Sequence, residues 1–147
     1  MPRIEKVLLA TDGSPASESA SEQAIDLATQ VEARLLVVSV LGGSSRPSEA
    51  QPEVTPDSRA SLTSTAQGIV ARAKAAGVDA SFLVWEGEPG DAIVAAADAE
   101  STDIIVVGSH GRSGVSRVFM GSVSDFVVRH AHCPVMVVRG RVDAVRR

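Results

Sequence analysis

The sequence Asp-Ile-Ile-Val-Val at 103–107 leads into Gly-Ser-His-Gly at 108–111 and, nine residues later, into Gly121-Ser122. Its first part is short, apolar and rich in β-branched residues, which is typical of a buried strand. Glycines directly after a strand let the backbone approach an anion with no Cβ in the way. A helix that begins near Ser122 would direct its free N–H groups at the same point. The stretch therefore predicts a strand, a phosphate-binding turn and a helix.

Two better-known phosphate motifs do not fit this stretch. A P-loop needs a lysine directly after its second glycine, and neither Lys6 nor Lys74, the only lysines, follows a glycine. The dinucleotide fingerprint needs a Gly-x-Gly pair after a strand, and no predicted strand is followed by one. Taken alone, Gly108 and Gly111 could equally serve to turn the chain tightly.

The rest of the chain alternates predicted strands with predicted helices. Apolar runs predict four further strands, at 4–10, 34–41, 80–86 and 135–138. Helical spacing of apolar residues predicts four helices: one opened by Ser14-Pro15, one along 62–73, one at 91–100, and one from Ser122 to before Pro134. The residues from Gly42 to Asp57 have no periodicity and predict a surface loop.

This alternation predicts an α/β fold. We expect a Rossmann-like, doubly wound open sheet of five parallel strands in the order 3-2-1-4-5, with four helices on its two faces. Ligands of such sheets bind beyond the carboxyl ends of the strands, where the strand order reverses. Here that point lies between the first strand, which leads into Asp12, and the fourth, which leads into Gly108. Asp12 could accept hydrogen bonds from a ribose or an adenine amino group, or could simply cap a turn.

Composition limits the classes of partner. The chain has 147 residues and a formal net charge of -4, and its basic residues are scattered apart from a short tail. We expect one domain over 1–140, a basic tail at 141–147, and no nucleic acid as partner. No apolar run approaches the roughly 18 residues of a membrane span, so we expect a cytoplasmic protein with no membrane partner. Cys133 is the only cysteine, which excludes an internal disulfide.

Four segments together resemble the universal stress protein family: residues 8–14, Gly87-Glu88-Pro89, the glycine motif formed by Gly108, Gly111, Gly121 and Ser122, and residues 134–138. The resemblance covers nearly the whole chain. In the nucleotide-binding branch of that family, the spacing Gly-x2-Gly-x9-Gly-Ser/Thr marks an ATP site, and this chain matches every defined position. The resemblance implies ATP as the ligand, with or without Mg2+, and AMP or cyclic AMP as alternatives. Ala10 stands where many binders have proline or another small residue.

The resemblance also implies a set of binding residues. Asp12 would contact the adenosine, and Val40 at the end of the second strand would lie against the adenine. The full expected set is Ala10, Thr11, Asp12, Val40, Gly108, His110, Gly111, Arg112, Gly121, Ser122 and Val123. A side chain at Gly121 is expected to occupy phosphate space and to leave the fold intact. Arg112 could meet the phosphates or remain solvated on a loop.

The chemistry of these residues favours binding over turnover. No carboxylate in the motif orients His110, and no Asp or Glu lies between Gly108 and Ser122, so we expect neither a catalytic residue nor a metal site. We expect a nucleotide-dependent sensor or regulator of the stress response that acts on an unknown protein partner. A slow ATPase on the same fold is the alternative from another class. The apolar last strand, Val135, Met136, Val137 and Val138, predicts a homodimer because an uncovered edge tends to pair.

Overall fold

The computed structural model describes residues 3–13, 17–42, 56–109 and 121–139. The strands in these ranges are β1 (Lys6–Thr11), β2 (Arg34–Gly42), β3 (Ala80–Gly87), β4 (Ile104–Gly108) and β5 (Val135–Val138). The helices are α1 (Glu18–Val31), α2 (Pro56–Ala75), α3 (Pro89–Ala99) and α4 (Ser122–His130). All strand pairs are parallel, and the order across the sheet is β3-β2-β1-β4-β5. The predicted fold class and strand order are confirmed.

Helices cover both faces of the sheet, which explains why its central strands are almost continuously apolar. Side chains alternate between the faces along β1: Val7 and Leu9 pack with α1 and α2, whereas Leu8 and Ala10 pack with α3 and α4. We call these the α1/α2 face and the α3/α4 face. All four residues are buried. The core therefore consists of two separate layers, one on each side of the sheet.

The amino ends of β1 and β4 are joined by one carboxylate. Asp103 accepts hydrogen bonds from the backbone N–H groups of Glu5 and Lys6, at 2.9 and 3.0 Å. The strands then run in register from Val7 beside Ile104 to Ala10 beside Val107. This alignment places the carboxyl ends of the two strands at the same edge of the sheet.

Two small-residue contacts bring the helices close to their neighbours. Ala20, Ala24 and Ala28 form the buried stripe of α1 against the sheet. On the other face, a Cβ at Gly90 of α3 would lie only 2.6 Å from the ring of Phe126 in α4. Gly90 therefore allows α3 and α4 to pack at a distance that alanine would not permit without a shift.

Several predicted boundaries differ from those of the structure. Strand β1, predicted at 4–10, is Lys6–Thr11. Helix α1 is described from Glu18, with Ser17 as its N-cap, and Ser14 and Pro15, which were predicted to open it, lie outside the described residues. Helix α3 begins at Pro89, because proline is well tolerated in the first helical turn. The predicted loop from Gly42 to Asp57 is shorter at both ends, since β2 includes Gly42 and α2 includes Pro56 and Asp57.

The predicted basic tail at 141–147 lies outside the described residues. Within the described ranges, none of the helices combines the length and the apolar character needed to cross a bilayer.

Candidate functional site

A crevice is expected where β1 and β4 lie side by side, and two connections meet there. β1 leads into Asp12 and Gly13, and β4 leads from Gly108 into Ser109. Because the helices that follow these strands lie on opposite faces of the sheet, the strand order reverses at this point. The structure thus brings together the two turns that the sequence predicted to form one site.

The described part of the β1–α1 turn, residues 11–13 and 17, is held by side-chain hydroxyl groups. The Thr11 Oγ1 atom accepts a hydrogen bond from the Gly13 N–H at 3.1 Å and lies 2.9 Å from the Ser17 Oγ atom. Both hydroxyl-bearing residues are buried. Gly13 has a φ of 79°, a left-handed conformation that favours glycine. Thr11, which was predicted to contact the ligand, therefore shapes the turn that presents the half-buried Asp12.

The β4–α4 junction, formed by Ser109 and Gly121, is held by the backbone. The Gly121 N–H donates to the Ser109 carbonyl oxygen at 2.6 Å, and the Ser109 N–H donates to the Val138 carbonyl oxygen at 2.8 Å. A Cβ at Gly121 would lie 2.9 Å from the Ser109 oxygen. A side chain at Gly121 would therefore require the Ser109 backbone to shift, and whether the fold stays intact in such a variant remains a prediction.

The first turn of α4 begins at this junction. Gly121 is its N-cap and makes no side-chain cap, and the backbone N–H groups of Ser122, Val123 and Ser124 have no acceptor within the helix. The Ser124 hydroxyl donates to the Gly121 carbonyl oxygen at 3.0 Å and fixes the cap. The Ser122 side chain is exposed. A helix end of this kind, beside the end of β4, can accept an anion.

The apolar side of the site lies on the α3/α4 face. Ala10 belongs to the buried cluster on this face, and Val40 and Val123 pack against it from the edge. Trp85 of β3 also packs against this cluster and lies beside Val40 in the strand register. Sequence reasoning missed Trp85, although its place in an alternating strand and its being the only tryptophan could have indicated it.

His110, Gly111 and Arg112, which form the middle of the predicted glycine motif, lie outside the described residues. Its two ends, Gly108 and Gly121, are placed, and the Ser109 backbone connects them.

His132 and Cys133 lie at the amino ends of the strands, opposite the crevice, just before β5 begins. His132 is bonded to the Asp98 carboxylate at 3.0 Å. Burial raises the pKa of the Cys133 thiol, and the carboxylates of Asp98 and Asp103 raise it further. A thiol with a raised pKa is a poor nucleophile at neutral pH. No group of three His, Cys, Asp or Glu side chains in the described ranges is placed to hold a metal ion.

Comparison with known families agrees with this architecture. Residues 3–139 match the universal stress protein family. The chain belongs to this family. The match spans every element from β1 to β5, so the resemblance seen in the sequence is confirmed over the whole sheet.

Relatives and solved structures support the assignment as a universal stress protein. A universal stress protein of Methanocaldococcus jannaschii is 32% identical over 142 residues, which cover 92% of this chain and 82% of that protein. One of Bacillus subtilis is 30% identical over 147 residues, which cover 92% of this chain and 99% of that protein. A universal stress protein solved in complex with cAMP is 28% identical, with a TM-score of 0.73, and the match covers 94% of this chain and 98% of the other.

A more distant structure shares the fold. The universal stress protein from Archaeoglobus fulgidus in complex with dAMP is 23% identical, with a TM-score of 0.71, and the match covers 93% of this chain and 99% of the other. At that level of identity the likeness concerns the fold alone.

Proposed function

We propose that this universal stress protein binds ATP in the crevice between β1 and β4 and acts as a nucleotide-dependent sensor or regulator of the stress response. The observation that carries the proposal is the backbone link between Ser109 and Gly121, which brings the first turn of α4 to the end of β4. That turn offers N–H groups and the Ser122 hydroxyl to the phosphates. Asp12, which follows β1, is the carboxylate that we expect to contact the ribose or the base.

The shape and polarity of the site favour an adenine nucleotide. The partly exposed Val40, which packs on the cluster that contains the buried Ala10, provides an apolar surface for a base on the α3/α4 face, and the α4 end provides an anion site. The related protein that is 28% identical was solved with cAMP, which has the same adenosine part as ATP. The triphosphate is proposed because the chain has the complete Gly-x2-Gly-x9-Gly-Ser motif. AMP and cAMP are the alternative ligands.

Binding is proposed in preference to catalysis. His130 ends α4, and His132 and Cys133 follow it before the amino end of β5, so all three lie at the end of the sheet opposite the crevice. His130 is bonded to the Phe126 carbonyl oxygen at 2.9 Å and stacks on the Phe126 ring, which is a structural role. A slow ATPase would need a base that reaches a water near the phosphates. The described residues at the end of β1 supply one titratable side chain, Asp12.

The proposal includes a homodimer formed through β5 in the cytoplasm. β5 is an edge strand that pairs only with β4, and its four apolar side chains are half-buried. The Val138 carbonyl oxygen at its end is bonded to Ser109 of the junction. A dimer interface at β5 would thus be connected by one hydrogen bond to Ser109, at the end of the site where the phosphates are proposed to bind. Light scattering at tens of micromolar should give about twice the chain mass, whereas 15.2 kDa would contradict the dimer.

Thermal unfolding tests the ligand directly. Nucleotide-free protein is heated with ATP, AMP, cAMP or GTP, each at millimolar concentration. A ligand at about 100 times its dissociation constant adds about 2.7 kcal/mol to the free energy of unfolding, a shift of several degrees for a domain of this size. We expect ATP to give the largest shift and GTP the smallest. Equal midpoints with and without all adenine nucleotides would contradict the proposal.

A further inference from the structure

The tryptophan of β3 occupies a position that the glycine motif does not explain. Trp85 is the partner of Val40 in the parallel β2–β3 register, so the two residues are on strands about 4.8 Å apart. Both pack against the cluster on the α3/α4 face, which places their side chains on the same side of the sheet. Trp85 therefore extends the apolar surface that Val40 begins.

Trp85 lies near the carboxyl end of β3, at the end of the sheet where the ligand is proposed to bind. β3 ends at Gly87, two residues beyond Trp85, and its register partner Gly42 ends β2. No described residue lies within 4 Å of the point that a Cβ at Gly87 would occupy. Among the described residues, none therefore covers the end of the strand beyond Trp85.

Trp85 is also only half-buried, and its ring lacks an aromatic neighbour in the described part of the chain. Phe82 of the same strand lies on the α1/α2 face. Phe126 fills the contact with Gly90 and stacks on His130. Among the aromatic rings that the structure describes, Trp85 alone combines the correct face with the carboxyl edge of the sheet.

We propose that Trp85 contacts the base of the bound nucleotide and forms one wall of the base site together with Val40. This assignment rests on the nucleotide binding proposed above. Every base has an apolar π face, so an indole beside it contributes to the binding of the base and not to the binding of the phosphates. Its contribution is the same for ATP, AMP and cAMP, which share the adenine, and is zero for inorganic triphosphate.

Calorimetry of two matched substitutions on β3 tests the assignment. Trp85→Leu removes the ring and keeps an apolar side chain, and Phe82→Leu makes a comparable change on the opposite face of the same strand. Loss of a base–aromatic contact weakens binding by about 5- to 150-fold. We expect Trp85→Leu to lower the affinity for ATP and for AMP by the same factor, within that range. Trp85→Phe should lower both affinities less, and Phe82→Leu should bind both nucleotides as tightly as the parent does. Circular dichroism verifies that each variant is folded.

The outcomes separate this assignment from the proposed function. If the parent protein binds no adenine nucleotide, both the proposed function and the role of Trp85 are overturned. A parent that binds ATP while Trp85→Leu binds it within twofold of the same affinity overturns only the role of Trp85. Fluorescence gives a second measurement that needs no variant, because Trp85 is the only tryptophan. Its emission should change along the calorimetric saturation curve for ATP, and constant emission at saturation would overturn the assignment.

Discussion

The β1–α1 turn and the β4–α4 junction reach the same crevice but are held by different kinds of contact. The turn depends on side-chain hydroxyls, with Thr11 between Ser17 and the Gly13 N–H. The junction depends on the backbone, with Ser109 and Gly121 so close that no Cβ fits at Gly121. A hydroxyl can be removed while the backbone stays in place, whereas any side chain at Gly121 must move the backbone itself. We therefore expect the junction to tolerate substitution less well than the turn.

The largest effect is expected for Gly121→Ala. Its Cβ would lie 2.9 Å from the Ser109 oxygen, so the start of α4 must shift away from β4. Overpacking of this kind costs about 1–3 kcal/mol, and the displaced N–H groups should no longer bind ATP measurably. Urea unfolding measures the first effect and calorimetry the second.

The matched control for this substitution is Gly68→Ala. Gly68 lies in α2, is exposed and has nothing within 4 Å of its Cβ position. Alanine is the better helix former by roughly 0.5–1 kcal/mol, so this variant should be more stable than the parent and bind ATP equally well. If the two variants behaved alike, the close backbone contact at the junction would not matter.

Thr11→Val should have the next largest effect, because it keeps the shape of the side chain and removes the hydroxyl. Ser17 and the Gly13 N–H then each lose a partner in a buried or half-buried place. We expect the free energy of unfolding to fall by about 1–2 kcal/mol. ATP affinity should fall as well, since the turn that presents Asp12 loosens. Urea unfolding with unchanged stability would show that the hydroxyls do not hold the turn.

Ser122→Ala should act on affinity alone. The Ser122 side chain is exposed and does not cap the helix, so stability should stay within about 0.5 kcal/mol. Loss of one hydrogen bond to a phosphate weakens binding by about 0.5–1.5 kcal/mol, and by up to roughly 3 if the bond is charge-assisted. Calorimetry should show weaker but detectable ATP binding. Parent-like affinity would place the phosphates away from this hydroxyl.

Ser39→Ala should have the smallest effect, although Ser39 is the register partner of Thr11. The Ser39 side chain is fully buried, and its hydroxyl has no hydrogen-bond partner among the described residues. Its removal gives up no hydrogen bond and relieves a buried unsatisfied group, so stability should be unchanged or slightly higher. A loss above about 1 kcal/mol in urea unfolding would mean that the hydroxyl has a partner, such as a buried water.

The same contrast explains what the sequence could predict. Local patterns were sufficient to predict the strands, because runs such as 34–41 and 103–107 are almost continuously apolar, as strands buried on both faces are. The Thr11–Ser17 contact at the start of α1 could not be read from any local pattern. The adjacency of Val40 and Trp85 depends on the strand register, which follows only from the assembled sheet.

The glycine at 121 illustrates the limit most clearly. Its position in the motif predicted a phosphate site, and the structure adds that the fold itself requires glycine there. A single sequence does not show whether Gly121 is needed for phosphate binding or for the close backbone contact, because Ser109 and Gly121 are far apart in the chain and no local pattern relates them.

The most direct test of the account is a crystal structure of the protein grown with ATP at several times its dissociation constant. The account predicts phosphate density at the N–H groups of Ser122 and Val123, with the base on the α3/α4 face beside Val40. ATP bound elsewhere on the molecule, or a crevice between β1 and β4 that contains only water at saturating ATP, would contradict it.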